Sequence, residues 1–425
     1  MGREHRGVSR EELKQSAVVT VTVLLALGLV TAWTVLIPGV MAWDNIVLAV
    51  IGSVRLTGPV ACAFAAWVAV RKRRVKNRPE GWRVLKAPLA ILAVVVGSFG
   101  ATMLVLSLRA VTDEQAGRLL PSGLAMGAAG LVLYVVLGWL IGWLVPYPIT
   151  PMLAGFTVYA VFAWISGRTT WADRLAPGTR EPYDLFEGLS ATAFIDQTLW
   201  LLGLSLALLM GWMAAVTRHS LALAAAMLSV LAAGVGVARL VADHRTHPGQ
   251  VAYSCQDWPI TVCVHPGMKE GLPELGTAFT GIAARLSGTP AAFNRVEQHS
   301  RKTDGTLGSG VVPIHVDDLG AGYADRAARE FVERLSHPCP AQRGAGYREI
   351  VLAWLRGEPL PPGDYPEHQT ASAWFAVLTE QQRREWLRMY YADFANCRLQ
   401  AAHFGASAYT HPVPSPTVMS GPQAR

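Results

Sequence analysis

Before residue 242 the chain is a succession of apolar blocks, each about as long as a bilayer is thick. The first, AVVTVTVLLALGLVTAWTVLIPGV at 17–40, contains no charged residue. A membrane-spanning helix needs roughly 20 such residues. In hydrocarbon every backbone N–H and C=O must find its partner within the chain, which restricts apolar blocks of this length to helices. Seven blocks meet or approach the requirement: 17–40, 46–70, 87–108, 124–145, 149–166, 197–216 and 221–242. The fifth is the shortest. Only 16% of all residues are charged, against about a quarter in soluble domains. The expected fold is therefore mainly α: a polytopic bundle of about seven transmembrane helices over 17–242, then a small α+β domain. The apolar run at 17–40 exceeds the ~7–15 residues of a cleaved leader's core and no A-x-A site follows it, so it reads as a retained helix.

Lysine and arginine near helix ends set orientation, because they are retained on the cytoplasmic side. With residues 1–16 inside, the cytoplasmic segments carry Arg3, Arg6, Arg10, Lys14, Arg218 and the eight basic residues of RKRRVKNRPEGWRVLK (71–86). The opposite loops carry Arg109, Arg118, Arg168, Arg174 and Arg180, together with eight acids that include Asp44, Asp173 and Asp196. The expected localisation is the plasma membrane, multi-pass, N-terminus cytoplasmic. Seven crossings then place the tail outside. The formal charge of +7 resides mostly in the cytoplasmic segments, and the tail is close to neutral. Nucleic-acid binding needs a basic patch on an accessible domain and loses its support. The run beginning Arg71, Lys72, Arg73, Arg74 suits attraction to anionic membrane lipid or docking of a cytoplasmic partner.

Within the spans, Arg55 is the one deeply placed ionisable residue. A charge at mid-membrane costs at least ~2.5 kcal/mol on insertion scales. Three readings stand: Arg55 snorkels to the outer surface, the helix breaks at Gly58-Pro59, or Arg55 pairs with Asp196 or Asp44. Gly123, Gly127 and Gly130, and Gly138 with Gly142, place small residues on one helix face. Such faces let helices approach closely, either within the bundle or in a homo- or hetero-oligomer. Trp43, Trp82, Trp143, Trp164 and Trp171 fall near span ends, as in an interfacial aromatic belt.

After the polar linker ADHRTHPGQ, the tail domain (243–404) reads as strands at 258–264 and 311–316 and helices at 269–286, 319–335 and 347–356. Thr379 and Gln382 fit a capping box, followed by Trp386, Leu387, Tyr390, Tyr391 and Phe394 at helical spacing, a core stripe. Residues 405–425 read as a disordered tail. The domain has no H-E-x-x-H, no G-x-S-x-G and no phosphate-binding G-x-x-x-x-G-K-[ST]. No catalytic, cofactor or metal site is expected. Ser309, in GTLGSG, reads as part of a turn. Cys255 and Cys263 with His265 invite a zinc reading, but C-x₇-C matches none of the usual structural patterns.

Outside the cell disulfides form and persist. The tail's four cysteines allow three pairings; proximity favours Cys255–Cys263, which leaves Cys339–Cys397.

Three segments carry a resemblance: GPVACAFAAWVAVRKRR at the end of the second span, GWLVPYPITPMLAG between the fourth and fifth, and CQDWPITVCVHPGMKEGLPEL opening the tail. Together they resemble actinobacterial ABC-transporter permease-like membrane proteins with a tail domain of unknown function. The resemblance implies a membrane subunit paired with a separate ATP-binding chain; the expected function is an ABC-type export or efflux system whose ATPase contacts 71–86 or the turn at 146–149. The alternative is a membrane-anchored extracytoplasmic sensor or scaffold that transports nothing.

Overall fold

The computed structural model describes residues 10–73, 81–112, 114–166, 171–178, 184–186, 188–242, 252–301, 310–340 and 342–405. Arg74, Ser309, the linker after Ala242 and the final twenty residues lie outside the described set. The chain divides into two compact units, Met1–Val251 and Ala252–Arg425.

The first unit is a helix bundle: α1 (Arg10–Val35), α2 (Trp43–Arg73), α3 (Lys86–Thr112), α4 (Pro121–Leu144), α5 (Thr150–Ser166), α6 (Ala191–Thr217) and α7 (Ser220–Ala242). Six of these are long and apolar enough to cross a membrane, and α5, with 17 residues, is shorter. The expected span at 17–40 ends early, at Val35, because Pro38 and Gly39 (φ 72°) turn the chain. Buried Asn45 holds that turn: its amide accepts from the Ile37 N–H at 3.0 Å and donates to the Ile37 and Val40 carbonyls. A sheltered turn has no water to satisfy its peptide groups, so a side chain must do it.

α2 is the hub and packs on α1, α4 and α5. It runs unbroken through Pro59, so the break considered at Gly58-Pro59 is not present. Proline removes one helical hydrogen bond, and neighbours on several sides hold the helix in place. The closest approach is to α4. A side chain at Gly138 or Gly142 would overlap the backbone of Cys62 or Ala66, so both positions must be glycine. Gly123 faces Val47 and Phe194, Gly127 faces Phe99, and Gly130 faces Pro177. The glycine faces of α4 thus pack inside this bundle. α6 and α7 form a hairpin in which Gly203 meets Ala233 and Gly236 meets Trp200.

The second unit holds a four-stranded sheet of β1 (Ser254–Gln256), β2 (Thr261–Val264), β3 (Arg295–Gln298) and β4 (Val311–Ile314), in that order. β1 and β2 are antiparallel; β2–β3 and β3–β4 are parallel. α8 (Leu272–Leu286) crosses from β2 to β3, as a parallel pair requires. α9 (Tyr323–Arg334), α10 (Gln342–Arg356), α11 (Pro366–Val377) and α12 (Glu380–Ala395) complete the unit. Val262, Val264, Val296, Val312 and Ile314 are buried with Leu275, Phe279, Phe331 and Val332. Buried Gln298 joins three strand ends: its carbonyl accepts from the His265 N–H at 2.8 Å, and its amide donates to the Val316 carbonyl at 2.6 Å. The capping box at Thr379 and Gln382 forms. Trp386, Leu387 and Phe394 are fully buried; Trp386 packs on Phe375 and Phe404, the core role expected of that stripe.

Candidate functional site

At the basic end of the bundle, Arg71 and Lys72 are exposed, and the Arg71 guanidinium lies 3.9 Å from the Trp67 ring centroid. Arg73 behaves differently from its neighbours. It donates to the Leu144 carbonyl at 3.0 Å and to that of Trp143. These are carbonyls left over at the C-terminus of α4, where the helix dipole favours a cation. At the start of the predicted docking run, Arg73 is therefore a structural cation, whereas Arg71 and Lys72 remain at the surface. The same contact brings that run against the α4–α5 turn, where Tyr147 and Ile149 are exposed. Arg71, Lys72 and Arg73 thus lie at the same end of the bundle as exposed Tyr147 and Ile149.

Halfway along the bundle, Arg55 is exposed. Among the described residues no carboxylate pairs with it. The expected partner Asp196 sits 3.5 Å from Arg239 instead; both belong to the α6–α7 hairpin, which brings them together where sequence distance concealed it. Asp44, the other candidate, starts α2 eleven residues before Arg55, about 16 Å along the axis, and is out of reach. Buried Thr31, Ser53, Thr57, Ser98 and Thr102 line the interior between α1, α2 and α3. Each hydroxyl donates to a carbonyl of its own helix, such as Thr57 to Ser53 at 2.9 Å and Thr102 to Ser98 at 3.1 Å. The cavity among Ser53, Thr57, Ser98 and Thr102 is of about 10 Å³, room for about one water.

At the opposite end, Gln197 is buried and donates to the carbonyls of Arg174 (3.1 Å), Ala176 (2.7 Å) and Gly178 (3.2 Å). It pins the connector between α5 and α6. Sequence reasoning missed it, although an amide at the first position of an apolar block was the available signal.

In the tail unit, Cys255–Cys263 and Cys339–Cys397 are both disulfides, with Cα separations of 4.1 and 5.4 Å. The first joins directly paired residues of β1 and β2. Cysteines so bonded cannot ligate zinc, and His265 instead caps a turn, its Nδ1 accepting from the Gly267 N–H at 3.1 Å. Burial pushes the His265 imidazole below its ordinary value. Among the described residues no group of three His, Cys, Asp or Glu could hold a metal.

On the side of β3 away from the buried valines, Glu297 accepts from Arg295 at 2.6 Å and lies 3.3 Å from His299 Nε2. Both carboxylate oxygens are occupied, and the Tyr253 ring packs beside His299, 6.3 Å between centroids. Elsewhere an open groove of about 630 Å³ is lined by Pro359, Leu360, Pro362, Ser372 and Arg383. Its guanidinium is engaged by the Phe375 and Ala376 carbonyls and by Glu380. The groove offers an apolar wall with few unspent polar groups.

No family model, curated protein or solved structure matches the chain.

Proposed function

We propose that this chain is a permease-like integral membrane subunit of an ABC-type export or efflux system, with the ATPase on a separate chain. One observation carries the reading: Arg73 ties the end of α2 to the end of α4, so exposed Arg71 and Lys72 and the Tyr147–Ile149 turn lie at the same end of the bundle. A mixed basic and apolar surface is what a soluble partner subunit would dock on. The chain has no phosphate-binding loop of its own, so nucleotide chemistry has to come from that partner.

In this reading the N-terminus is cytoplasmic and the tail extracytoplasmic. Two disulfides in the tail support that side, since reducing compartments keep thiols free. The arrangement needs an odd number of crossings, and α5 supplies the seventh. Its 17 residues cover about 25 Å against a core of about 30 Å, a mismatch that local thinning of the bilayer accommodates. Gly155 lets α5 lie close against Pro59 and Ala63 of α2.

Affinity purification of the full chain from its native membrane tests the proposal. A phosphate-loop ATPase should co-purify and be lost on Arg71→Glu/Lys72→Glu. Absence of any ATPase, with export unaffected by deletion of the chain, sinks it. A second reading, a membrane-anchored sensor or scaffold, draws on the bundle interior: the hydroxyl-lined cavity is water-sized and its hydroxyls are spent on their own helices. Deletion would then alter signalling or assembly while export continued.

A further inference from the structure

α2 is covered along nearly its whole length. Between Trp43 and Val70 only Arg55 and Leu56 are exposed. This window falls at the centre of the helix. Arg55 lies 12 residues from Trp43 and 12 from Trp67, about 18 Å either way. Trp67, stacked under Arg71, marks one membrane surface, and Trp43, at the first turn, marks the other. The guanidinium therefore belongs near the bilayer mid-plane. An extended arginine covers less than half the distance to either surface. Pro59, one turn on, has no N–H to give the Arg55 carbonyl, which adds a second polar group at this depth.

Among the described residues no counter-charge lies there. Within the six apolar spans, the first of them Val18–Val35, and α5 the only carboxylates are Asp44 and Asp196, both near the Trp43 end. Asp196 is engaged by Arg239. A second copy of the chain brings the same two acids at the same wrong depth, so self-association does not satisfy Arg55. A cation on an outward face in hydrocarbon calls for a carboxylate from another molecule.

We propose that the Arg55–Leu56 window is the docking point for a membrane-spanning helix of another protein that carries an Asp or Glu near its centre. Arg55 forms the ion pair, and Leu56 packs on the partner helix beside it. The inference requires only that α2 crosses the membrane, and it stands whether or not an ATPase binds at the basic end.

The test places a photo-reactive benzoylphenylalanine at Leu56 of the full-length chain in its native membrane and identifies the cross-linked peptide by mass spectrometry. The expected product is a transmembrane segment of another protein with a central Asp or Glu. Its yield should fall about tenfold in Arg55→Leu and about threefold in Arg55→Lys, the loss of one intramembrane polar contact. Cross-links only to lipid, to a second copy or to a segment without a central acid overturn the proposal, as does an unchanged yield in Arg55→Leu. A second measurement uses a defined probe. A polyleucine helix with one central Glu, co-expressed with the chain, should give about tenfold more association by energy transfer than the all-leucine helix. Equal association of the two probes with the wild-type chain also overturns it.

Discussion

Removing the Cys339–Cys397 disulfide should destabilise the tail unit far more than removing Cys255–Cys263. A cross-link stabilises mainly by restricting the unfolded chain, and its effect grows with the logarithm of the loop closed. The two bridges span 58 and 8 residues. The chain-entropy relation then gives about 4 and about 2.5 kcal/mol. The native state adds a refinement. Cys397 follows α12 at φ 51°, the left-handed position after a helix where glycine is usual. Cysteine stands there because the bridge to Cys339 requires a side chain. Once the bridge is gone, only the strain is left, about 1 kcal/mol for a residue with a β-carbon. Cys339→Ala/Cys397→Gly should therefore be about 1 kcal/mol more stable than Cys339→Ala/Cys397→Ala. Urea-dependent pulse proteolysis of the full-length protein in detergent, reading survival of the tail fragment, measures all three variants. If loss of the short bridge costs as much as loss of the long one, the loop-entropy account is wrong. If thiol mapping of natively inserted protein finds these four cysteines reduced, the extracytoplasmic placement goes with it.

Gly138→Ala should lower bundle stability by about 3 kcal/mol, the upper range for overpacking, because the new methyl meets the Cys62 backbone; thermal melts in detergent read this, and a neutral result refutes the close α2–α4 contact. Gln197→Leu takes the shared side-chain donor away from the Arg174, Ala176 and Gly178 carbonyls and should cost about 2 kcal/mol, with new proteolytic cleavage in the α5–α6 connector as its signature. His265 has its folded-state value depressed by burial, so the unfolded chain takes up the proton first. Stability is full above the unfolded value of about 6.5 and is lost as pH falls from there through the folded value. In His265→Asn the amide oxygen still caps Gly267, and the fall in melting temperature between about pH 7 and pH 5 should flatten; an identical slope would remove His265 as its source.

The apolar blocks by themselves determined that the first part of the chain is helical, because a run of some 20 apolar residues leaves its backbone no partner except itself. Periodicity and a capping pattern likewise exposed α12 and its buried face. The disulfide pairing followed from count and spacing. Tertiary structure decided what depended on residues distant in sequence. β1 and β3 escaped the sequence reading because a short strand is stabilised by the strands beside it. β3 shows this: RVEQ is mostly polar, yet it pairs in register with both β2 and β4. Depth along the spans made Asp196 one candidate for Arg55, but an ion pair is set by how hairpins close, and Arg239 reaches Asp196 once α6 and α7 lie side by side. Gln197, Asn45 and Gln298 are ordinary polar residues in the sequence. Each becomes structural only when folding brings carbonyls and N–H groups of other segments within its reach. Arg55 stood out from the start as a charge in an apolar span, and only the packing of α1, α4 and α5 around α2 showed that the bundle covers its neighbours and leaves the arginine facing outward.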